Sequence, residues 1–201
     1  QRGIDKTIGT PLISILSLSK RQKNAIPQDV LFTKIWAIGE SVLTLPLIHQ
    51  FKQNYPKTNI TVLCRNQNKA VYENQPFIDN IEVFEPHNLL TLTKQYKKYD
   101  LAFDLEPYLK LSALLTNHIS QKIIGFSHGP RVKLYDQLVY YNDKTHAVNT
   151  FLNLLKPLNI KPKVPNKLIP LTYSKQDRNK VDNFFNKFPK HRPIIGMTVT
   201  S

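Results

Sequence analysis

Val30-Leu-Phe-Thr-Lys-Ile-Trp-Ala-Ile-Gly-Glu-Ser-Val-Leu-Thr-Leu-Pro46 is the stretch that decides the fold. An apolar run ends in Ala37-Ile38-Gly39, the carboxylate Glu40 follows at once, and a helix-like pattern begins behind it. Four more strand-like runs lie downstream, at 59–64, 80–84, 100–104 and 122–126. Helix-like segments at 43–54, 66–74, 89–98 and 109–119 separate them. Strands alternating with helical patterns give βαβ units and a mainly parallel sheet. Right-handed crossovers then make the expected architecture an α/β, Rossmann-like parallel sheet with flanking helices. Ligands of such open sheets bind just beyond the carboxyl ends of the strands, which is where this order of residues places Glu40.

Leu43, Leu47 and Phe51 recur at i, i+4, i+8 with Ile48 beside them, so one face of the first helix is apolar. Pro46 fits if that helix starts near Thr44, with the proline in its first turn; otherwise the helix is kinked there.

Bulk composition limits the function classes. The 201 residues suffice for one sizeable domain, or one domain and part of another. Lys and Arg number 28 against 14 Asp and Glu, a formal charge of +14. That surface favours anionic partners: phosphorylated substrates, acidic lipid headgroups or nucleic acid. Basic residues are not interleaved with aromatics, so nucleic-acid binding rests on charge alone and no specific nucleic acid is expected. The single cysteine, Cys64, rules out an internal disulfide and any multi-Cys zinc site, and fits a reducing compartment. No apolar run has the length of a membrane span. Ile4, Ile8, Leu12, Ile15 and Leu16 fall at helical spacing among basic residues, so 1–28 reads as an amphipathic segment for a membrane surface or a docking helix.

No glycine-rich phosphate loop and no G-x-S-x-G elbow occurs, and the six histidines are scattered, so no metal site is expected. Glu40 makes the best chemical case. A carboxylate at a strand-to-helix turn is a candidate general base, against the plainer reading of a first-turn helix acid. Asp104 and Glu106 close the run 101–103, to touch a substrate hydroxyl, to cap a loop or to pair with a nearby Lys. Lys34 sits inside the first strand and needs a partner there, a carboxylate or a bound anion. Arg131 and Lys133 follow the fifth strand on a loop, as anion contacts or as solvated charges.

The ordered motifs resemble those of glycosyltransferase family 9, the ADP-heptose:lipopolysaccharide heptosyltransferases. Lys34-Ile-Trp-Ala-Ile-Gly-Glu-Ser-Val-Leu-Thr-Leu-Pro46 is similar to the family's opening K/R-x-x-x-I-G-D pattern. Asn74-Gln-Pro-Phe-Ile-Asp-Asn-Ile-Glu-Val-Phe84, Tyr99-Asp-Leu-Ala-Phe-Asp-Leu-Glu106, Ile123-Ile-Gly-Phe126 and His146-Ala-Val-Asn-Thr-Phe-Leu-Asn-Leu-Leu155 follow in the family's order. Ile194-Ile-Gly196 looks like the first strand of its donor domain.

The resemblance implies the N-terminal, acceptor half of a GT-B fold. It implies an inverting, metal-independent sugar transfer from a nucleotide-sugar substrate such as ADP-heptose, with no cofactor. The acceptor would be a phosphorylated glycolipid or oligosaccharide of lipopolysaccharide core or a related envelope glycan. Its catalytic carboxylate falls on Glu40, where the family carries Asp. Lys34, Gly39, Ser41, Asp104, Glu106, Arg131 and Lys133 become acceptor-binding candidates, and Thr200 and Ser201 donor-binding ones. A cytoplasmic protein is expected, peripheral on the inner face of the membrane, with that anionic surface as a candidate partner.

The expected division is a docking segment at 1–28, the Rossmann-like domain at 29–160, a basic linker with one peripheral helix at 161–192, and a donor-domain strand at 193–201. A chain ending there reads as an acceptor half, inactive alone, with the nucleotide sugar held by a C-terminal domain. The competing readings are a non-enzymatic basic module for nucleic acid or anionic membrane, and an inactive truncated remnant.

Overall fold

Six strands, all parallel, lie in the order β3-β2-β1-β4-β5-β6 in the computed structural model, which describes residues 26–189, 193 and 195–197. The expected segment 1–28 falls almost wholly outside these residues, as do Thr200, Ser201 and most of the expected strand at 193–201. In chain order the first elements are β1 (Asp29–Thr33), α1 (Ile38–Asn54), β2 (Asn59–Cys64), α2 (Asn66–Lys69) and β3 (Asn80–Val83). Next come α3 (Leu89–Thr93), β4 (Tyr99–Asp104), α4 (Lys110–Ile119) and β5 (Ser120–Phe126). β6 (Gln137–Val139), α5 (Ala147–Leu152) and α6 (Lys175–Phe185) complete the described elements, with short 3-10 turns at Gly129–Leu134 and Asn153–Leu158 among the connections. This is the expected α/β, Rossmann-like architecture.

Alternation along the strands separates two cores. Val30 and Phe32 point to one face with Leu45, Ile48 and Phe51 of α1 and Phe151 of α5. Leu31 points to the other, with Ala113, Leu115 and Ile119 of α4. Parallel strands buried on both faces read as continuous apolar runs, and β1 is buried throughout after Asp29. Across the β1–β4 pair, Phe32 opposes Phe103. Their rings stack at 4.7 Å and 2°, and the ring of Phe51 meets both edge-on.

Several bounds differ from the expectation: the first strand stops at Thr33, short of Ala37, and the helices expected at 66–74 and 89–98 end at Lys69 and Thr93. α1 starts at Ile38, not near Thr44, so Pro46 lies inside the helix. The Thr44 hydroxyl caps nothing; it donates to the Ser41 carbonyl at 2.7 Å. Burial of Leu45, Pro46, Leu47, Ile48 and Phe51 offsets a proline that lacks an N–H for the ladder, a defect of about 3 kcal/mol in a helix interior. A further difference is β6, for which the sequence reading assigns no strand.

By its contacts the chain divides into a unit up to Leu171 and a unit from Thr172. Residues 161–171, expected as linker, are held to the first unit. Gln50 of α1 accepts from the Lys163 N–H at 2.9 Å, Gln75 donates to the Pro170 carbonyl, and Ile169 packs on the core. In the second unit Ser174 and Asp177 form a reciprocal capping box at the start of α6. No residue of that helix is buried. Among the described residues no helix is long and apolar enough to cross a membrane.

Candidate active site at the carboxyl edge of the sheet

Neighbouring β1 and β4 send their connections to opposite sides of the sheet, so their carboxyl ends flank the topological switch point. Beyond Thr33 the chain keeps one more bond to β2, from Lys34 N–H to the Leu63 carbonyl at 2.9 Å. It then bends through Ile35 and Trp36. Both of their N–H groups donate to Glu106 Oε1, at 2.8 and 2.7 Å. Glu106, two residues past β4, therefore holds the turn that follows β1. Asn68 of α2 clamps the same turn from below, donating to the Lys34 carbonyl at 3.0 Å and to Ser41 Oγ at 2.8 Å.

Ala37 is the helix cap residue and sits at φ 65°, ψ 111°. This is the positive-φ region that favours glycine, and strain of this kind concentrates at functional turns. Ser41 N–H and Oγ both donate to the Ala37 carbonyl, at 3.0 and 2.9 Å. The first helical residues Ile38, Gly39 and Glu40 are exposed. A side chain at Gly39 would meet nothing within 4 Å, so no contact inside the fold requires glycine there.

Lys34 is the centre of the charge arrangement. Its side chain is fully buried, and its ammonium donates to Glu40 Oε2 at 2.7 Å and Glu106 Oε1 at 3.2 Å. A buried ammonium is costly unless paired and hydrogen-bonded, and here two carboxylates meet it. Glu40 has a side chain 46% exposed. One of its oxygens faces Lys34, and the residue lines a small cavity of about 70 Å³. The cavity's other polar walls are Asn142, Asp143, Thr145 and Thr150, with Tyr141 and Pro107 on the apolar side.

The remaining candidates fall into different roles. Asp104 is fully buried, accepting from Ser112 Oγ at 3.1 Å, Tyr135 Oη at 2.6 Å and the Glu106 N–H at 3.1 Å. Burial raises its carboxyl above the usual range, opposed by Arg131 and by the Tyr135 hydroxyl. Burial likewise raises Glu106, opposed by Lys34 and the Trp36 N–H. Glu106 thus holds the turn after β1, while Asp104 holds Ser112, Tyr135 and the Glu106 N–H.

Arg131 is expected as an anion contact or a solvated loop charge. It is 1% exposed, and its guanidinium donates to the carbonyls of Glu106, Pro107 and His128. A loop that crosses the end of a sheet has backbone carbonyls to satisfy, and Arg131 satisfies three of them. Lys133 is exposed. The structure thus brings Lys34, Gly39, Glu40, Ser41 and Glu106 together, with Asp104 and Arg131 bracing them.

Sequence reasoning missed Asn68 and the cavity segment 141–145. The only signal for that segment was the aromatic-polar run Tyr140-Tyr-Asn-Asp143 just before the α5 pattern. No group of His, Cys, Asp and Glu that could hold a metal ion occurs among the described residues.

The architecture has solved counterparts. A glycosyl transferase family 9 structure from Veillonella parvula superposes with a TM-score of 0.70 at 20% identity, covering 82% of this chain and 51% of that one. The fold is that of family 9 glycosyltransferases. An E. coli ADP-heptose lipopolysaccharide heptosyltransferase II gives a TM-score of 0.61 at 18% identity, over 83% of this chain and 52% of its own. An E. coli heptosyltransferase solved with ADP gives 0.59 at 17%, over 69% and 49%. The chain thus spans about half the length of the family 9 structures it matches. No family model matches the sequence, and no curated protein matches it.

Proposed function

We propose that this chain is the acceptor-binding half of an inverting glycosyltransferase, with Glu40 as the base that activates the acceptor hydroxyl. The observation that carries the reading is the placement of Glu40. It is a half-exposed carboxylate at the switch point of a parallel sheet, anchored through one oxygen to a buried lysine and lining a cavity.

The chemistry balances with few parts. An acceptor hydroxyl in the cavity passes its proton to the Glu40 oxygen that Lys34 does not hold. The hydroxyl oxygen bonds to the anomeric carbon of the donor sugar as the bond to the nucleoside diphosphate breaks, which inverts that carbon. The donor, a nucleotide sugar of the ADP-heptose type, is held by a second Rossmann-like domain, as in other GT-B enzymes, and no metal takes part. Glutamate in place of the family's aspartate puts the carboxylate one methylene further from the backbone. In this chain that reach lets it bond Lys34 while still lining the cavity. The acceptor is a glycan of lipopolysaccharide core or a related envelope polymer, met at the inner face of the cytoplasmic membrane, where a +14 surface is drawn to anionic lipid.

Glu40→Gln tests the reading. Measured as nucleoside diphosphate release with the donor domain present, transfer should fall about 10²–10⁴-fold, the usual contribution of a positioned base, while acceptor binding changes little. Undiminished transfer by the variant would sink the proposal. Turnover by the 201-residue chain alone would overturn the need for a second domain.

A further inference from the structure

The cavity beside Glu40 has the opposite sign from the molecule around it. The chain carries +14, yet the charged side chains lining the cavity are two carboxylates, Glu40 and Asp143. The cations of the neighbourhood are engaged or outside the wall. Lys34 is shared between Glu40 and Glu106, Arg131 is buried against three carbonyls, and Lys144 and His146 are exposed and do not line the cavity.

Asp143 does not sit on a loose tip. The Asn142 carbonyl accepts from Thr145 Oγ1 at 3.1 Å and Thr150 Oγ1 at 3.0 Å, and Asn142 Oδ1 accepts from the Lys144 N–H at 2.9 Å. The backbone that carries Asp143 is therefore tied down on both sides through Asn142. The Tyr141 hydroxyl registers the same field. Burial pushes it up to about 12, with Tyr108, Glu40 and Asp143 adding in the same direction. The Tyr141 ring is fixed edge-to-face by Phe126 at 5.1 Å and Tyr108 at 5.6 Å. A rigid aromatic wall with a few convergent polar groups is how proteins orient small ligands.

We infer that the sugar ring entering this cavity to present the attacking hydroxyl bears no phosphate or carboxylate: it is an uncharged or amino-bearing pyranose. Its C–H face lies on Tyr141, and its hydroxyls or ammonium donate to Asp143 and Glu40. Phosphates elsewhere on the acceptor meet the basic outer surface instead. This deepens the transferase reading and rests on it.

The test titrates the 201-residue chain, followed by NMR, with methyl mannoside, methyl glucosaminide and mannose 6-phosphate. Salt is kept at about 0.1 M, where exposed charges are screened beyond ~10 Å. The two non-anionic sugars should shift the signals of Tyr141, Asp143 and Thr145. Mannose 6-phosphate should act on those signals at least tenfold more weakly. Asp143→Asn should narrow that gap, and Asp143→Lys should reverse it. The substituted position is exposed, so both variants should keep the wild-type spectrum elsewhere. Binding of mannose 6-phosphate at these signals as tight as that of methyl mannoside overturns the charge inference and leaves the transferase reading standing. Failure of all three sugars to touch the cavity signals overturns both.

Discussion

Lys34 has an ammonium with two carboxylates on it and no solvent around it. Lys34→Ala would leave Glu106 buried without its counter-charge. Breaking such a pair typically costs about 3–5 kcal/mol, so the variant should lose that much in urea denaturation. Lys34 is readable as a partnered residue because a lysine inside an apolar run needs one. Arg131 is not readable in the same way, since a guanidinium that binds carbonyls and one that binds phosphate look identical in a loop sequence. Gly125 is a second point of tight constraint. A Cβ there would fall 2.5 Å from the Tyr135 ring. Tyr135 is not free to retreat, because its hydroxyl holds Asp104 at 2.6 Å. Gly125→Ala should therefore cost about 1–3 kcal/mol as overpacking, seen as a lower urea midpoint with the m-value unchanged.

At the level of elements, the strands are legible because parallel strands buried on both faces carry apolar runs, as in 30–32 and 62–64. β6 escapes because it is three residues long and exposes Gln137 and Leu138, leaving only Val139 buried. The start of α1 is misread for a different reason. Pro46 suggests a helix beginning just before it, whereas tertiary burial of the surrounding residues carries the helix through the proline. The cap of α1 is where local conformation is most costly. Ala37 holds a positive φ, which costs a non-glycine residue about 1–2 kcal/mol, while glycine restores about 0.4–1 kcal/mol of unfolded-chain entropy. Ala37→Gly should thus raise stability slightly, by up to about 1 kcal/mol. Ala37→Val, with a branched Cβ in the same conformation, should lower it. Thermal midpoints of the two variants should lie on opposite sides of the wild type.

For the molecule as a whole, the balance of buried acids sets the response to pH. Burial holds Asp104 and Glu106 above their ordinary values, so in the window just above the usual carboxylate range the folded chain binds more protons than the unfolded one. Stability contributed by these two groups therefore rises as pH falls from neutral through their raised values. Glu85, lowered chiefly by its bond from Arg65, works in the opposite sense at lower pH. Denaturation midpoints at pH 7 and pH 5 should show the first effect, and Glu106→Gln should flatten it. The sign of the net charge was plain in the composition. The acidic cavity was not, because Glu40 and Asp143 come together only when the end of β1 and the segment before α5 meet in space.

The shared ammonium ties together two loops separated by 72 residues of sequence. Single changes at Glu40 and Glu106 are therefore expected not to add, since a substitution at one alters what the shared Lys34 does for the other. An ion triad is hardest to lose one member at a time, because each loss strands a charge, yet replacing all three by apolar residues of similar volume is often harmless to folding. On the proposed transferase reading, a lineage that abandoned this chemistry is expected to keep the fold and to have exchanged Lys34, Glu40 and Glu106 together, a genetic signature that would tell active from silent descendants apart.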